Sequence, residues 1–401
     1  MALVNPLGKE KKLKPLLLSP AQVAEEKKRA LTRDRAKPSV PFLGSYRIID
    51  FSLSNALNSG LRKIALVTQY KSLALERHII NGWNIFHAES GDYILSIPAQ
   101  GRVSDRWYEG TADAVFQNIY TIQQENPDYV LVLSGDHIYK ADYRKLLLFA
   151  TQTKADAVIM TRVVPSQEAS RFGVMGVNDA HRIVEFAEKP KKPQVTPWDP
   201  TKILISMGVY LFKTPVLIKA LIKDARKAGS SHDFGRDLIP SLIPGHEVYA
   251  YLFNDYWEDI GTIDAYWNAN MAFLSASPPD ILRDPDWPFR TYKPQYPPAF
   301  IERGTIRNSI LCTGVRVTGG RIENSILSPG VWVHEDAEVA DSILLEGVEV
   351  CRGARVRKAI IDKFSVIPEN FEIGFDAEKD SRDFKISRGG IRVVPKEWKA
   401  V

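Results

Sequence analysis

A doubly wound, mostly parallel α/β sheet followed by a parallel β-helix is the fold class that this sequence of 401 residues predicts. Three observations carry that reading. Residues 46 to about 270 alternate β-rich apolar runs with helix-like segments. A proline-rich stretch then interrupts the chain, and the remainder repeats itself about every 17 residues.

The alternation comes first. "KIALVTQ" (63–69), "YVLVLSGD" (129–136) and "DAVIMTRVV" (156–164) are near-continuous apolar runs of the buried-sheet kind. Between them lie "IDFSLSNALNSG", with Gly60 as its C-cap, and "TADAVFQNIYTIQQ", which reads as one helix. Such alternation places helices on both faces of a sheet. One hairpin interrupts it: "FGVMGV" and "RIVEFAEKP" alternate in polarity around the turn-rich "NDAH".

Residues 277–298, "SPPDILRDPDWPFRTYKPQYPP", hold seven prolines and can form neither helix nor central strand. They read as an extended linker between a domain at 1–276 and a repeat domain at 299–401. In the latter, "IRNSILCTGVRV", "IENSILSPGVWV", "VADSILLEGVEV" and "VRKAIIDKFSVI" begin 16, 17 and 17 residues apart. Aliphatic residues recur every five or six positions with turn residues between them, so each coil stacks on the next and none is stable alone.

Bulk properties narrow the function. Apolar residues at 44% and charged residues at 25% are ordinary for a globular protein. The net charge of +5 is dispersed, and the densest run, "KEKKLK", reads as a solvated tail, so nucleic acid is not an expected partner. No apolar stretch approaches the roughly 18 residues of a membrane span, and no signal segment is visible. Cys312 and Cys351 lack metal-ligand spacing and point to a reducing cytoplasm without a disulfide.

Several short motifs can do chemistry. Asp136 ends an apolar strand after a glycine, where open parallel sheets collect ligands, and suits Mg²⁺ or a helix cap. Asp259 in "YWEDIGT" could approach the same cation or cap a helix near Thr262. Glu188 and Lys189 in "FAEKP" can face one ligand only if the chain turns, which Pro190 favours. A carboxylate for hydroxyls beside an ammonium for phosphate would suit a sugar phosphate. "WYEGTADAV" opens a helix at Gly110 and Thr111, whose free N–H groups would favour an anion or a base edge, with Tyr108 beside them. In "ISMGVY", Ser206 offers a hydroxyl ahead of a strand.

The ordered set RAKP, PAQ, WYEGTADAV, SGDHIYK, FGVM, EFAEKP, SMGVY, SSHDFG and YWEDIGT resembles the ADP-glucose pyrophosphorylases of bacterial glycogen and plant starch synthesis. The resemblance runs from about Leu31 through the repeats. It implies a nucleotidyltransferase domain with a left-handed β-helix, and a homotetramer or a hetero-oligomer with a paralogous subunit. It also implies that ATP and glucose 1-phosphate are converted to ADP-glucose and diphosphate with Mg²⁺. By that resemblance Lys37 contacts nucleotide phosphates, and Asp136 and Asp259 hold the metal. Tyr108, Gly173, Glu188, Lys189 and Ser206 bind glucose 1-phosphate, while Gln100, Gly110 and Thr111 take the adenine side. Lys37, Asp136 and Lys189 form the catalytic set. Asp34 stands where enterobacterial members carry an activator-binding lysine, which implies a different activator or none. A related sugar nucleotidyltransferase using dTTP or GTP is a further reading, and an acyltransferase β-helix is disfavoured because the repeats hold only His334.

One departure stands out. The family's Leu-Ala-Gly-Gly-x-Gly-x-Arg-Leu phosphate loop is replaced by "LSPAQVAEEKKRAL", and no glycine occurs between Lys9 and Leu43. Backbone donors are lost, Glu25 and Glu26 are gained, and Lys27, Lys28 and Arg29 cannot rebuild an ordered nest of N–H groups. Losing even one such donor costs on the order of 10²–10³ in rate. Either the chain is a catalytically impaired regulatory subunit, or the reading frame slips. Read one base earlier with permissible codons, Leu18 to Glu26 become Leu-Ala-Gly-Ala-Gly-Gly-Gly-Arg.

Overall fold

The computed structural model describes residues 13–18, 30–69, 71–99 and 107–399. The replaced loop (19–29) and Gln100 lie outside the described residues. The central sheet contains β1 (Leu13–Leu18), β2 (Lys63–Thr68), β3 (Tyr93–Pro98) and β4 (Tyr129–Ser134). A short strand, β5 (His137–Tyr139), follows β4 but belongs to a separate two-stranded ribbon. The sheet continues with β6 (Ala157–Pro165), β7 (Gly173–Val177), β8 (Ile183–Glu188), β9 (Lys202–Lys213) and β10 (Val248–Leu252).

Strands β4, β1, β2 and β3 are parallel neighbours, and β6 pairs parallel with β10. The β7–β8 hairpin forms as the sequence predicts, antiparallel from Gly173↔Glu188 to Val177↔Ile183. The sheet is nevertheless more mixed than the sequence suggests, because β9 runs antiparallel to β4, β6 and β7. At twelve residues β9 spans two partners. Its first half pairs with β7 and its second with β4, and its register against β6 shifts between Ser206 and Tyr210.

Ser206 is thus inside a strand, at a bulge, rather than ahead of one. Gly208 takes φ +65° there, and a Cβ would lie 3.1 Å from the Ser134 Cβ, so the bulge needs glycine. The expected single helix over "TADAVFQNIYTIQQ" is two, Thr111–Phe116 and Ile119–Glu125. Between them Asn118 turns its side-chain amide onto the Ala114 carbonyl (2.8 Å) and the Tyr108 hydroxyl (3.0 Å), competing with the helical ladder.

Two apolar clusters fill the two faces of the sheet. The helix Ile48–Asn58 is buried on nearly every side, and Gly60 follows it at φ +82°, completing the stop. Residues 277–298 contain no helix or strand; Trp287 donates to Asn55 (3.0 Å), and Asn58 donates to the Pro288 carbonyl (3.0 Å).

From Phe300 the chain winds into three sheets, the third closed by one antiparallel strand, Lys385–Ile386. Successive coils pair in parallel, as in Ile310↔Ile326, Ile326↔Ile343 and Ile343↔Ile360. These are steps of 16, 17 and 17 residues, the spacing read from the sequence. Val317, Val333 and Val350 stack inside without solvent exposure. One wall of the β-helix packs on the α/β unit, with Ile326, Ile343 and Ile360 meeting Val40, Phe42 and Tyr266 in a shared core. Within that contact, the Arg35 guanidinium bonds both Asp362 carboxylate oxygens (2.8 and 3.0 Å), and both residues are buried. No helix among the described residues is long and apolar enough to cross a membrane.

Removing one member of such a pair strands a buried charge, which typically costs about 3–5 kcal/mol, whereas an apolar replacement of both is near neutral. Asp362→Ala should therefore lower urea stability by roughly that amount, and a double replacement of Arg35 by Met and Asp362 by Leu should recover most of it. Equal loss in the single and double variants would contradict this account.

Candidate active site

The carboxyl ends of β1 and β4 meet at Leu18↔Ser134, and Asp136 lies two residues beyond. Strand β5 then pairs antiparallel with β11 (Trp257–Asp259), setting Asp259 opposite His137. Two carboxylates 123 residues apart in the chain are thereby brought to one corner. Neither is a helix cap: Thr262 caps the helix Ile263–Ala272, accepting from the Ala265 N–H, and Asp142 caps the helix Tyr143–Gln152.

The 3-10 turn Lys37–Ser39 lowers Lys37 into that corner. Its ammonium lies 2.6 Å from Asp136 and 3.6 Å from Asp259. Ser134 donates its hydroxyl to Asp136. Burial by itself would raise the Asp136 pKa; Lys37, His137 and the hydrogen bonds outweigh it and hold the carboxylate ionised well below the usual range.

His137 was not read as a site residue from the sequence. Nδ1 lies 3.0 Å from the Met207 carbonyl, and Nε2 lies 3.4 Å from Asp136 and 3.8 Å from Asp259. One ligand atom each from Asp136, His137 and Asp259 fall within 4.8 Å of one another. Two convergent carboxylate oxygens in a partly exposed corner are a donor set that fits a hard divalent cation.

The other predicted residues line the adjoining floor. Trp257 stands edge-on to His137 (ring centroids 5.2 Å) and touches Phe172 (5.8 Å), whose carbonyl accepts the Lys189 N–H (3.0 Å). Lys189 takes φ +51°, so the chain turns where the sequence requires a turn and leaves Glu188 and Lys189 with polar ends 4.0 Å apart. Glu188 sits against Gly173 and Gly235: a Cβ at either would lie 2.8 or 2.9 Å from its carboxylate. Burial, then the nearby Asp233 charge, push its pKa up. Across the floor, the Ser206 hydroxyl donates to Tyr210 (3.1 Å), whose ring stacks on Phe234 (5.6 Å). Tyr108 is buried, and its hydroxyl accepts from Asn118.

One expectation is corrected. The helix opening at Gly110 and Thr111 offers fewer free N–H groups than a bare helix start, because those of Ala112 and Asp113 both donate to the His232 carbonyl (2.7 and 3.2 Å). Thr111 donates to Asp233 (2.9 Å) and accepts from the Phe234 N–H (2.9 Å). A Cβ on Gly110 would fall 2.2 Å from the His232 oxygen, so glycine here lets a second chain segment close over the helix start. That segment, "SSHDFG", is one of the family-like motifs and carries Asp233 and Phe234, to which sequence reasoning assigns no role.

A doubly wound sheet with carboxylates and an ammonium at its strand ends is built for phosphate chemistry, and the nucleotidyl transferase family model matches residues 27–276. A second model, the GlmU-like C-terminal hexapeptide, matches residues 297–394, the repeat of a left-handed β-helix. The chain is 45% identical to the glucose-1-phosphate adenylyltransferase of Koribacter versatilis over 94% of each chain. It is 46% identical to glucose-1-phosphate adenylyltransferase 2 of Vibrio cholerae over 92% of this chain and 94% of that one. The enzyme of Hydrogenovibrio crunogenus with the same name is 46% identical over 91% and 90%. This chain belongs to the glucose-1-phosphate adenylyltransferase family.

The raised Glu188 pKa has a sign that can be measured. Unfolded, the group titrates near about 4.3. Folded, it titrates higher, so it favours the folded state at low pH and loses that contribution as pH rises through the folded value. Glu188→Gln removes the term, and the melting temperature of the variant minus that of the parent should grow from pH 4 to pH 8. A difference that shrinks over that range would show that Lys189 and Arg236, not burial, govern the carboxylate.

Proposed function

We propose that the chain transfers the adenylyl group of ATP to glucose 1-phosphate, giving ADP-glucose and diphosphate for glycogen synthesis. The observation that carries this reading is that the Lys37 ammonium lies within 3.6 Å of both Asp136 and Asp259 at the strand ends. Enzymes of the nucleotidyl transferase family work with a divalent cation, and Mg²⁺ is the ion we assign to Asp136 and Asp259. Held by Asp136 and Asp259, such an ion would supply positive charge to the triphosphate.

This chain's own residues do the rest by position. Glu188 accepts sugar hydroxyls, with Gly173 and Gly235 leaving room for its carboxylate. Lys189 meets the sugar phosphate, aided by the turn that frees its stem. Ser206 and Tyr108 contribute hydroxyls to the same floor. Lys37 supplies positive charge beside the α-phosphorus, so that one phosphate oxygen of glucose 1-phosphate can approach it in line with the leaving diphosphate. No side chain becomes covalent; orientation and charge neutralisation supply the rate. Gly110 and Thr111 serve the adenine side and hold segment 231–235 in place. Gln100 retains its adenine role on the resemblance alone.

A second reading, an impaired subunit that tunes an active paralogue, is favoured by the missing glycines. The reading-frame account has its own support in Pro15, which stands inside central strand β1 opposite Leu131, where a residue without an N–H removes a ladder bond. As for assembly, a homotetramer or a hetero-oligomer rests on the family resemblance, and Phe300 and Ile301, exposed on the first coil of the β-helix, are available to such a contact. A cytoplasmic setting accords with two free thiols.

Diphosphate release from ATP with glucose 1-phosphate, with the chain beside a version carrying the restored glycine loop, separates the readings. Activity in both supports the enzyme, activity only after repair supports the frame slip, and silence in both supports the tuning subunit. In an active form, Asp136→Asn and Asp259→Asn should each lower kcat by about 10² or more while sparing the fold. An unchanged kcat in both would overturn the assignment.

A further inference from the structure

The β-helix turns a sequence spacing of one coil into a side-by-side placement. Strand β12 (Trp332–Val333) pairs parallel with β13 (Glu349–Val350), Trp332 against Glu349 and Val333 against Val350. Val333 and Val350 fill the interior, so Trp332 and Glu349 point outward. One step further, the His334 N–H donates to the Val350 carbonyl (3.0 Å), and Cys351 lies beside His334 in the next coil. His334 and Cys351 are 17 residues apart, a spacing that reads as nothing in a linear search for ligand motifs.

We propose that His334, Glu349 and Cys351 form a binding site for a thiophilic divalent cation of the Zn²⁺ class on the outer wall of the β-helix. One ligand atom from each of the three falls within 4.8 Å of the others, and the His334 Nε2 is 2.8 Å from the Glu349 carboxylate. A tetrahedral ion with bonds of about 2.0 Å to nitrogen and about 2.3 Å to sulfur needs ligand separations of roughly 3.3–3.8 Å, so small side-chain rotations complete it. The set is one nitrogen, one oxygen and one sulfur, a mixture that selects Zn²⁺, Co²⁺ or Ni²⁺ over Mg²⁺ or Ca²⁺. Three protein ligands leave the fourth position to water or to another molecule.

The scaffold is prepared for this. The imidazole of His334 stacks on Trp332 at 4.0 Å between centroids and 23° between planes, and the Arg316 guanidinium lies over the same indole at 4.7 Å. Backbone pairing on both coils fixes the Cα positions, so only three side chains need move. Cys351 is a free thiol and partly accessible, whereas the other cysteine, Cys312, is buried against Ser45. The neighbouring coils carry Thr318 and Pro368 where His334 and Cys351 stand, so the site is confined to two coils.

Co²⁺ titrated into the full chain is the test, because a thiolate bound to cobalt gives a near-ultraviolet charge-transfer band. The corner at Asp136 and Asp259 has no sulfur and cannot produce it. We expect the band to saturate at one Co²⁺ per chain, to be abolished by Zn²⁺ and to resist excess Mg²⁺. Cys351→Ser should remove it, His334→Gln should weaken Co²⁺ binding by at least ~10-fold, and Cys312→Ser should leave it intact. Absence of the band, its survival in Cys351→Ser, or its loss in Cys312→Ser would overturn the proposal.

Discussion

The pairing of two three-residue strands, His137–Tyr139 with Trp257–Asp259, is the constraint on which the candidate site rests. Without it, Asp259 would belong to a distant loop. With it, a second carboxylate, a tryptophan floor and an imidazole acquire fixed positions around Asp136. An antiparallel register permits one alignment here, because a slip of one residue would turn Asp259 to the far face and bring Glu258 in. The buried Trp257, held between His137 and Phe172, makes that slip expensive.

From this corner the architecture extends by contact. Phe172 touches Trp257 and holds the Lys189 backbone, while Glu188 leans on Gly173 and Gly235. Segment 231–235 then closes over the helix start at Gly110. Each link uses a small residue or a left-handed turn to bring two backbones close. Function and folding draw on the same glycines: Gly208 permits the bulge that presents Ser206, and Gly110 permits the approach of His232.

Much of this is legible in the sequence. Strands β2, β4 and β6, the hairpin at 173–188 and the coil length of 16 or 17 follow from periodicity and turn chemistry, whereas β1 and β3 go unread. Asp136 is singled out by its strand-end position and Asp259 by its acidic motif, and the resemblance alone gives both a metal role. What is not legible depends on register between distant segments. His137 is adjacent to a chosen residue, yet nothing local tells that its ring turns to the same cation corner. The Ala112 and Asp113 N–H groups look free until their acceptor, the carbonyl of the sequence-distant His232, is known. Ser206 reads as a pre-strand residue because a bulge inside a twelve-residue strand leaves no periodic signature beyond one glycine.

The Arg35–Asp362 contact joins the turn that carries Lys37 to the fourth repeat of the β-helix, 327 residues away in sequence. A charge sealed on both sides cannot be matched by a surface of merely similar shape. The two halves are thus committed to each other in heredity: a crossover near residue 290 between distant relatives keeps this seam only where the base of one parent meets the acid of the other, or where both sides are apolar. The linker supplies the obvious place to cut, but the compatibility of the pieces is decided elsewhere.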